Sequence, residues 1–271
     1  MAPPVAGAPG EAVGAPHNWR MTPPDLPLSR LLWLALALSL GAAVSLGITR
    51  FAYALLLPVM REDLGWSYTL AGAMNTANAL GYLLGALATP WLMRRWSAPA
   101  VLLAGSVLAS GFMAASGFFI DAGPLLLQRL LAGAASALVF VAGGLMAARL
   151  GAQSPRRAGL LLGLYYGGTG WGIAASALGV PWVLRAAQGV AHGWAWAWWG
   201  LALLCLAATA VLWWPANSLR KQELLAHGAS PPKTDSPGNL PWRAMALALG
   251  GYTLFGIGYI GYMTFVIALL R

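Results

Sequence analysis

The sequence predicts an all-α, polytopic membrane protein, and three observations carry that prediction. The chain is 59% hydrophobic and 8% charged, with a mean hydropathy of +0.68. A soluble domain carries roughly a quarter charged residues, so this one could not cover itself with a polar surface in water. Its apolar residues fall in long runs, each near the ~20 residues that cross a bilayer core of ~30 Å. The formal net charge of +9 lies mostly between those runs. That pattern fits membrane topology and argues against a nucleic-acid partner.

Residues 1–28 (MAPPVAGAPGEAVGAPHNW…) are rich in Pro, Ala and Gly and predict a disordered tail. The expected spans are 31–60, 69–91, 98–119, 123–148, 158–184, 195–214 and 244–270. Segment 30–45 (RLLWLALALSLGAAVS) imitates a secretory signal, with a charge, an apolar stretch and then small residues. It reads as a retained span, because a Pro/Ala-rich stretch precedes it and the apolar run continues past any cut site. Residues 215–243 are polar and Pro-rich (SPPKTDSPGNLP) and form the expected linker.

Orientation follows from the basic residues. With the N-terminus inside, Arg20, Arg30, Arg94, Arg95, Arg149, Arg156, Arg157, Arg220, Lys221, Lys233 and Arg243 are cytoplasmic. Only Arg61, Arg185 and Arg271 then lie outside, so the positive-inside rule favours a cytoplasmic N-terminus. Trp194, Trp196, Trp198 and Trp199 lie at one end of the sixth span, and Trp213 and Trp214 at the other. The ~30 Å of helix between the two groups predicts interfacial anchors on opposite sides.

Arg50 and Arg129 fall inside spans one and four, and no Asp or Glu is embedded in any span to neutralise them. A charge at membrane depth costs several kcal/mol unless it faces a bundle interior or a water-filled cavity. Arg50 lies about ten residues, ~15 Å, before Met60, and Arg129 about six residues into its span, so both sit at similar depth from the outer end. Tyr53, the third residue after Arg50, is expected on the same helix face. In span two, Asn75, Asn78 and Tyr82 share a face, and Gly81 and Gly85 form a Gly-x-x-x-Gly step beside it. These polar groups suit either a solute-lined cavity or interhelical hydrogen bonding with close packing. Tyr165, Tyr166, Thr169 and Trp171 lie among the glycines of span five and read as flexible packing.

No enzyme is expected. His17, His192 and His227 lie outside the spans, and both lysines lie outside them too, which removes a buried proton relay and a Schiff base. Cys205 is the one cysteine, so neither a disulfide nor a cysteine metal cluster can form. No cofactor or metal is implied.

Residues 47–87 (GITRFAYALLLPVMREDLGWSYTLAGAMNTANALGYLLGAL) resemble the major facilitator superfamily, in particular its YbfB/YjiJ-type branch. There an Arg-Phe-Ala-Tyr stretch and a Leu-Pro pair close the first helix. Gln128, Arg129, Gly133 and Ser136 resemble the superfamily's fourth-helix motif. The sequence departs from the superfamily at Thr89, where its loop between helices two and three usually carries an aspartate. The fifth helix also lacks the Gly-Pro pair typical of drug/proton antiporters.

The resemblance implies twelve helices in two six-helix halves. Gly41, Gly47, Ile48 and Tyr53 match Gly250, Gly256, Ile257 and Tyr262 at a constant offset of 209, as a duplicated unit would. The expected domains are therefore a tail (1–28), a six-helix half (29–214), a cytoplasmic linker (215–243) and a seventh helix (244–271) opening an incomplete second half. The resemblance also places helices one, four and seven around the central cavity. The expected cavity residues are Arg50, Tyr53, Asn75, Asn78, Arg129, Tyr259 and Tyr262.

The expected function is secondary transport of a small anionic solute across a bacterial inner membrane. The expected partners are the lipid bilayer and that solute. The alternative is a non-transporting truncated protein or membrane scaffold. A chain of seven helices alone is expected not to transport, because half of the cavity wall is missing.

Overall fold

The computed structural model describes residues 26–227 and 245–254, together with residues 256 and 258. Those residues are helical throughout apart from short turns, and no strand occurs among them. The first span is broken: α1 (Leu28–Ala42) passes into a π-helical segment (Ala43–Ile48), a turn at 49–51, then α2 (Ala52–Asp63). Next come α3 (Tyr68–Arg95), α4 (Ala98–Ser116), α5 (Ala122–Gln153), a 3₁₀ turn (Pro155–Arg157), α6 (Ala158–Ala186) and α7 (Trp194–His227). A last helical stretch, α8, runs from Met245 to Leu254.

Local sequence accounts for the boundaries. Gly65 takes φ +65° in the turn after α2, a conformation only glycine adopts without strain. Ser67 then accepts the Leu70 amide at 3.1 Å and caps α3. Pro99 stands in the first turn of α4, where its missing N–H removes no helical bond.

Four segments are long and apolar enough to cross a membrane: Leu28–Asp63, Ala98–Ser116, Ala122–Gln153 and Trp194–Lys221. Helices α3 and α6, of 28 and 29 residues, have the length but dilute their apolar content with Asn75, Thr76 and Asn78 or with glycines. Leu83, Leu87, Leu178, Trp182 and Leu203 stand exposed on the outside of the bundle. Such surface suits lipid rather than water. The expected seventh span falls mostly outside the described residues.

Helix α5 is the hub and packs on α3 most extensively, then on α4 and α6, while α1 packs on α6 and α4 on α7. Glycines set the α3–α5 approach. A Cβ on Gly81 would run into the Leu130 carbonyl, one on Gly85 into the Ala134 carbonyl, and one on Gly133 into the Asn78 carbonyl. The Gly-x-x-x-Gly step of α3 is thus a backbone-to-backbone seam.

Two buried apolar clusters fill the bundle. One gathers Leu56, Met60, Met74, Met113, Trp194 and Trp198, the other Leu34, Leu38, Leu102, Met146, Leu150 and Leu212. They meet near Ser45 and Ser136, whose hydroxyls each donate to the other's carbonyl at 2.8 Å.

Two expectations need correction. The tryptophans at the start of α7 do not all anchor at an interface. Trp194 and Trp198 lie one helical turn apart on the inward face and are buried, while Trp196 is exposed. Trp194 donates to the Asp63 carboxylate at 2.6 Å, and Trp198 contacts the Met60 sulfur at 3.4 Å. The sixth helix also does not stop at residue 214. It continues to His227, because the strong helix formers of LRKQELL outweigh the bond lost at Pro215.

Candidate functional site

The break in the first span organises the candidate site. A regular α-helix would close at every fourth residue. Here the Thr49 amide and hydroxyl both donate to Val44, five positions back, at 3.1 and 2.6 Å. The Phe51 amide reaches Leu46 at 3.3 Å, again five back. The wider turn is held from outside by the Ser45–Ser136 exchange. It is also held by α6, where Gly172 lets the backbone come against Gly47. Single π turns inside α-helices recur at functional sites.

Arg129 crosses from α5 to this break. It is 2% exposed, and one terminal nitrogen donates to the Thr49 carbonyl at 3.1 Å. Its guanidinium lies 4.8 Å from the Tyr53 ring centroid and 5.6 Å from that of Trp198. The Tyr53 hydroxyl donates to the Ala71 carbonyl of α3 at 2.9 Å. The Asn78 side-chain amide donates to the Arg129 carbonyl at 3.0 Å. Arg129, Tyr53 and Asn78 therefore form one buried cluster joining four helices. Two nitrogens of the Arg129 side chain, Nε and one terminal nitrogen, find no hydrogen-bond partner among the described residues. Carbonyl bonds and ring faces answer part of the charge, and the remaining donors stay open.

Arg50 lies elsewhere. It is half-buried at the turn, with its guanidinium 5.9 Å from the Tyr82 ring centroid. No carboxylate pairs with it among the described residues; the ion pair found there joins His192 and Asp63, at 2.7 Å. The two arginines remain close enough to repel one another. The expectation that Arg50 and Tyr53 share a face is overturned. Their spacing predicts a shared face only on a continuous α-helix, and the π segment and turn shift the phase between them. Tyr53 points into the bundle to Arg129, and Arg50 points to α3.

Asn75 is half-buried on α3, one turn before Asn78. Tyr259 and Tyr262 lie outside the described residues. Tyr82 is the site residue that the sequence reading leaves out, although it shares the expected face of Asn75 and Asn78. The signal for it is present in the sequence: an aromatic ring two helical turns after Asn75, beside a membrane arginine with no acid to meet it.

At the outer end, a cavity of about 690 Å³ opens between α2, α6 and the loop before α7. The Asp63 carboxylate at its rim receives Trp194 and pairs with His192. Asp63 lies past the expected end of the span at Met60, and its side chain is 34% exposed to water. The His192 and Trp194 bonds hold its carboxyl below the ordinary carboxylate range, against a smaller opposing effect of burial.

A membrane-embedded helical bundle with arginines but no embedded acids can hold and pass a small solute more readily than it can catalyse a reaction. No curated protein matches the chain. A family model described as "Uncharacterised MFS-type transporter YbfB" matches residues 42–271, which span the break at Arg50, the Arg129 cluster and α8. The chain belongs to this YbfB-type branch of the major facilitator transporters, a family of multi-pass membrane proteins.

Proposed function

We propose that the protein is a secondary transporter that moves a small anionic solute across a bacterial inner membrane, with its N-terminus in the cytoplasm. On this reading two halves rock around a midplane site, and the site is alternately open to each side. The observation that carries the reading is Arg50: a half-buried cation at membrane depth that meets a tyrosine ring and no described acid. A guanidinium fork pairs well with carboxylate or phosphate, and such a pair is strong where water is scarce. Arg129 adds a second positive charge close by, with donors still open. The rival arrangement, an acid beyond the described residues that neutralises Arg50, would leave no net field.

The test is flux by the protein expressed from its complete reading frame. Arg50→Gln should lower anion transport about tenfold to hundredfold, the worth of one charge-assisted bond, while membrane insertion is unchanged. Arg50→Lys should keep part of the activity if charge suffices. Normal transport by both Arg50→Gln and Arg129→Gln would end the anion reading and leave both arginines as packing residues.

A further inference from the structure

The surroundings of Arg50 are aromatic rather than aliphatic. Arg50 sits at the turn between the π segment and α2, and Tyr82 lies at the middle of α3. Phe140 lies just past the middle of α5, and Tyr166 in the first third of α6. All four therefore stand away from the ends of the bundle. The rings are joined: Phe140 and Tyr166 have centroids 5.6 Å apart, and Tyr165 and Tyr166 5.1 Å apart, edge to face. Tyr165 is the fixed member, buried and donating to the Phe140 carbonyl at 2.8 Å. Tyr166 beside it is 48% exposed, and it stands within electrostatic reach of Tyr82. Gly143 and Gly144 of α5 make the room, since a Cβ on Gly143 would press on the Tyr165 ring and hydroxyl.

We propose that the solute held at Arg50 is an aromatic carboxylate, with the guanidinium on its carboxylate and Tyr82, Tyr166 and Phe140 against its ring. This rests on the anion reading of Arg50 given above. An arginine lying over a tyrosine ring keeps its in-plane donors free to form a fork with a carboxylate. Tilted and edge-to-face ring contacts favour a flat aromatic body over a puckered aliphatic one of equal size. Tyr82 and Tyr166 donate to no other described residue, so both phenols can also orient a ring that bears a polar substituent.

Three probes separate the claims: benzoate, cyclohexanecarboxylate (same charge, similar size, no flat ring) and benzamide (same ring, no charge). Calorimetric titration of the purified protein, made from its complete reading frame, measures each. Benzoate should bind at least fivefold more tightly than cyclohexanecarboxylate, and benzamide hardly at all. Tyr166→Leu should erase the preference for benzoate while keeping carboxylate binding. Tyr166→Phe should retain the preference, which guards against a mere folding defect. Arg50→Gln should remove both acids. Equal binding of the two acids, both lost in Arg50→Gln, would overturn the aromatic claim and leave the anion reading standing. Benzamide binding as well as benzoate, acids unaffected by Arg50→Gln, or no binding of any probe would overturn both.

Discussion

The Arg129 guanidinium donates to the Thr49 carbonyl at 3.1 Å, across 80 positions of sequence. That bond ties the middle of α5 to the break in the first span, and the Tyr53 and Trp198 rings close around it. Its loss should be visible in stability, and the size of the loss depends on what replaces the side chain.

Arg129→Ala should destabilise more than Arg129→Met. Both take a donor from a buried carbonyl, at about 1–3 kcal/mol. Alanine also leaves a void between two rings, whereas methionine fills it and removes a partly paired buried charge. Cys205 is buried and is the one cysteine, so a thiol-reactive fluorophore reads unfolding directly. Equal melting temperatures for the two variants would contradict this ordering.

The glycine seam predicts a contrast between two like substitutions. Gly81→Ala places a methyl group against the Leu130 carbonyl and should push α3 off α5, at several kcal/mol. Gly163→Ala in α6 meets nothing within 4 Å and should stabilise by about 0.4–1 kcal/mol. Thermal unfolding in detergent checks both, and a tolerated Gly81→Ala would mean that the seam is looser than described.

Stability should depend on acid through Asp63. Its carboxyl is held below the ordinary range, so the stabilisation is present at neutral pH. It is lost as pH falls below about 4 and through the folded-state value, because the unfolded chain binds the proton more readily. Asp63→Asn should therefore melt at lower temperature than the parent at pH 7, and the gap should narrow in acid. A gap that widened in acid would reverse the sign of this argument.

Topology can be checked without touching the site. With the N-terminus inside, Gln188→Cys in the exposed loop before α7 should react with an impermeant maleimide on intact cells, and Lys233→Cys should not. The native Cys205 is buried and contributes little background. Labelling at 233 but not at 188 would invert the orientation.

Much of the fold was legible because lipid imposes a simple rule: one apolar run, one helix. The spans at 98–119, 123–148 and 158–184 sit on α4, α5 and α6 to within a few residues. Gly81 and Gly85 were readable as a close-packing step for the same reason. The partners of Tyr53 and Arg50 were not readable, because hydrophobic periodicity assumes an unbroken helix and the break comes between Ala43 and Phe51. Nor was the inward turn of Trp194 and Trp198, since interfacial anchors and core rings have the same composition and differ only in helix face. For Asn78 the sequence allows either a cavity wall or an interhelical bond; its side chain reaches the Arg129 carbonyl, and the second role holds in this conformation.

The π segment also makes the first span sensitive to residue count. A π turn holds one residue more than the α-helix on either side can absorb. Deleting any one residue between Ala43 and Ile48 would let the hydrogen bonds reset to regular spacing, and everything after it would rotate by about 100°. Arg50 would swing away from Tyr82, and Tyr53 would leave Arg129. Substitutions there can be mild, but the reading of the whole segment is set by length, like a frame. A one-residue deletion compensated by a one-residue insertion at 49–51 should restore the orientation of α2, where neither change alone would.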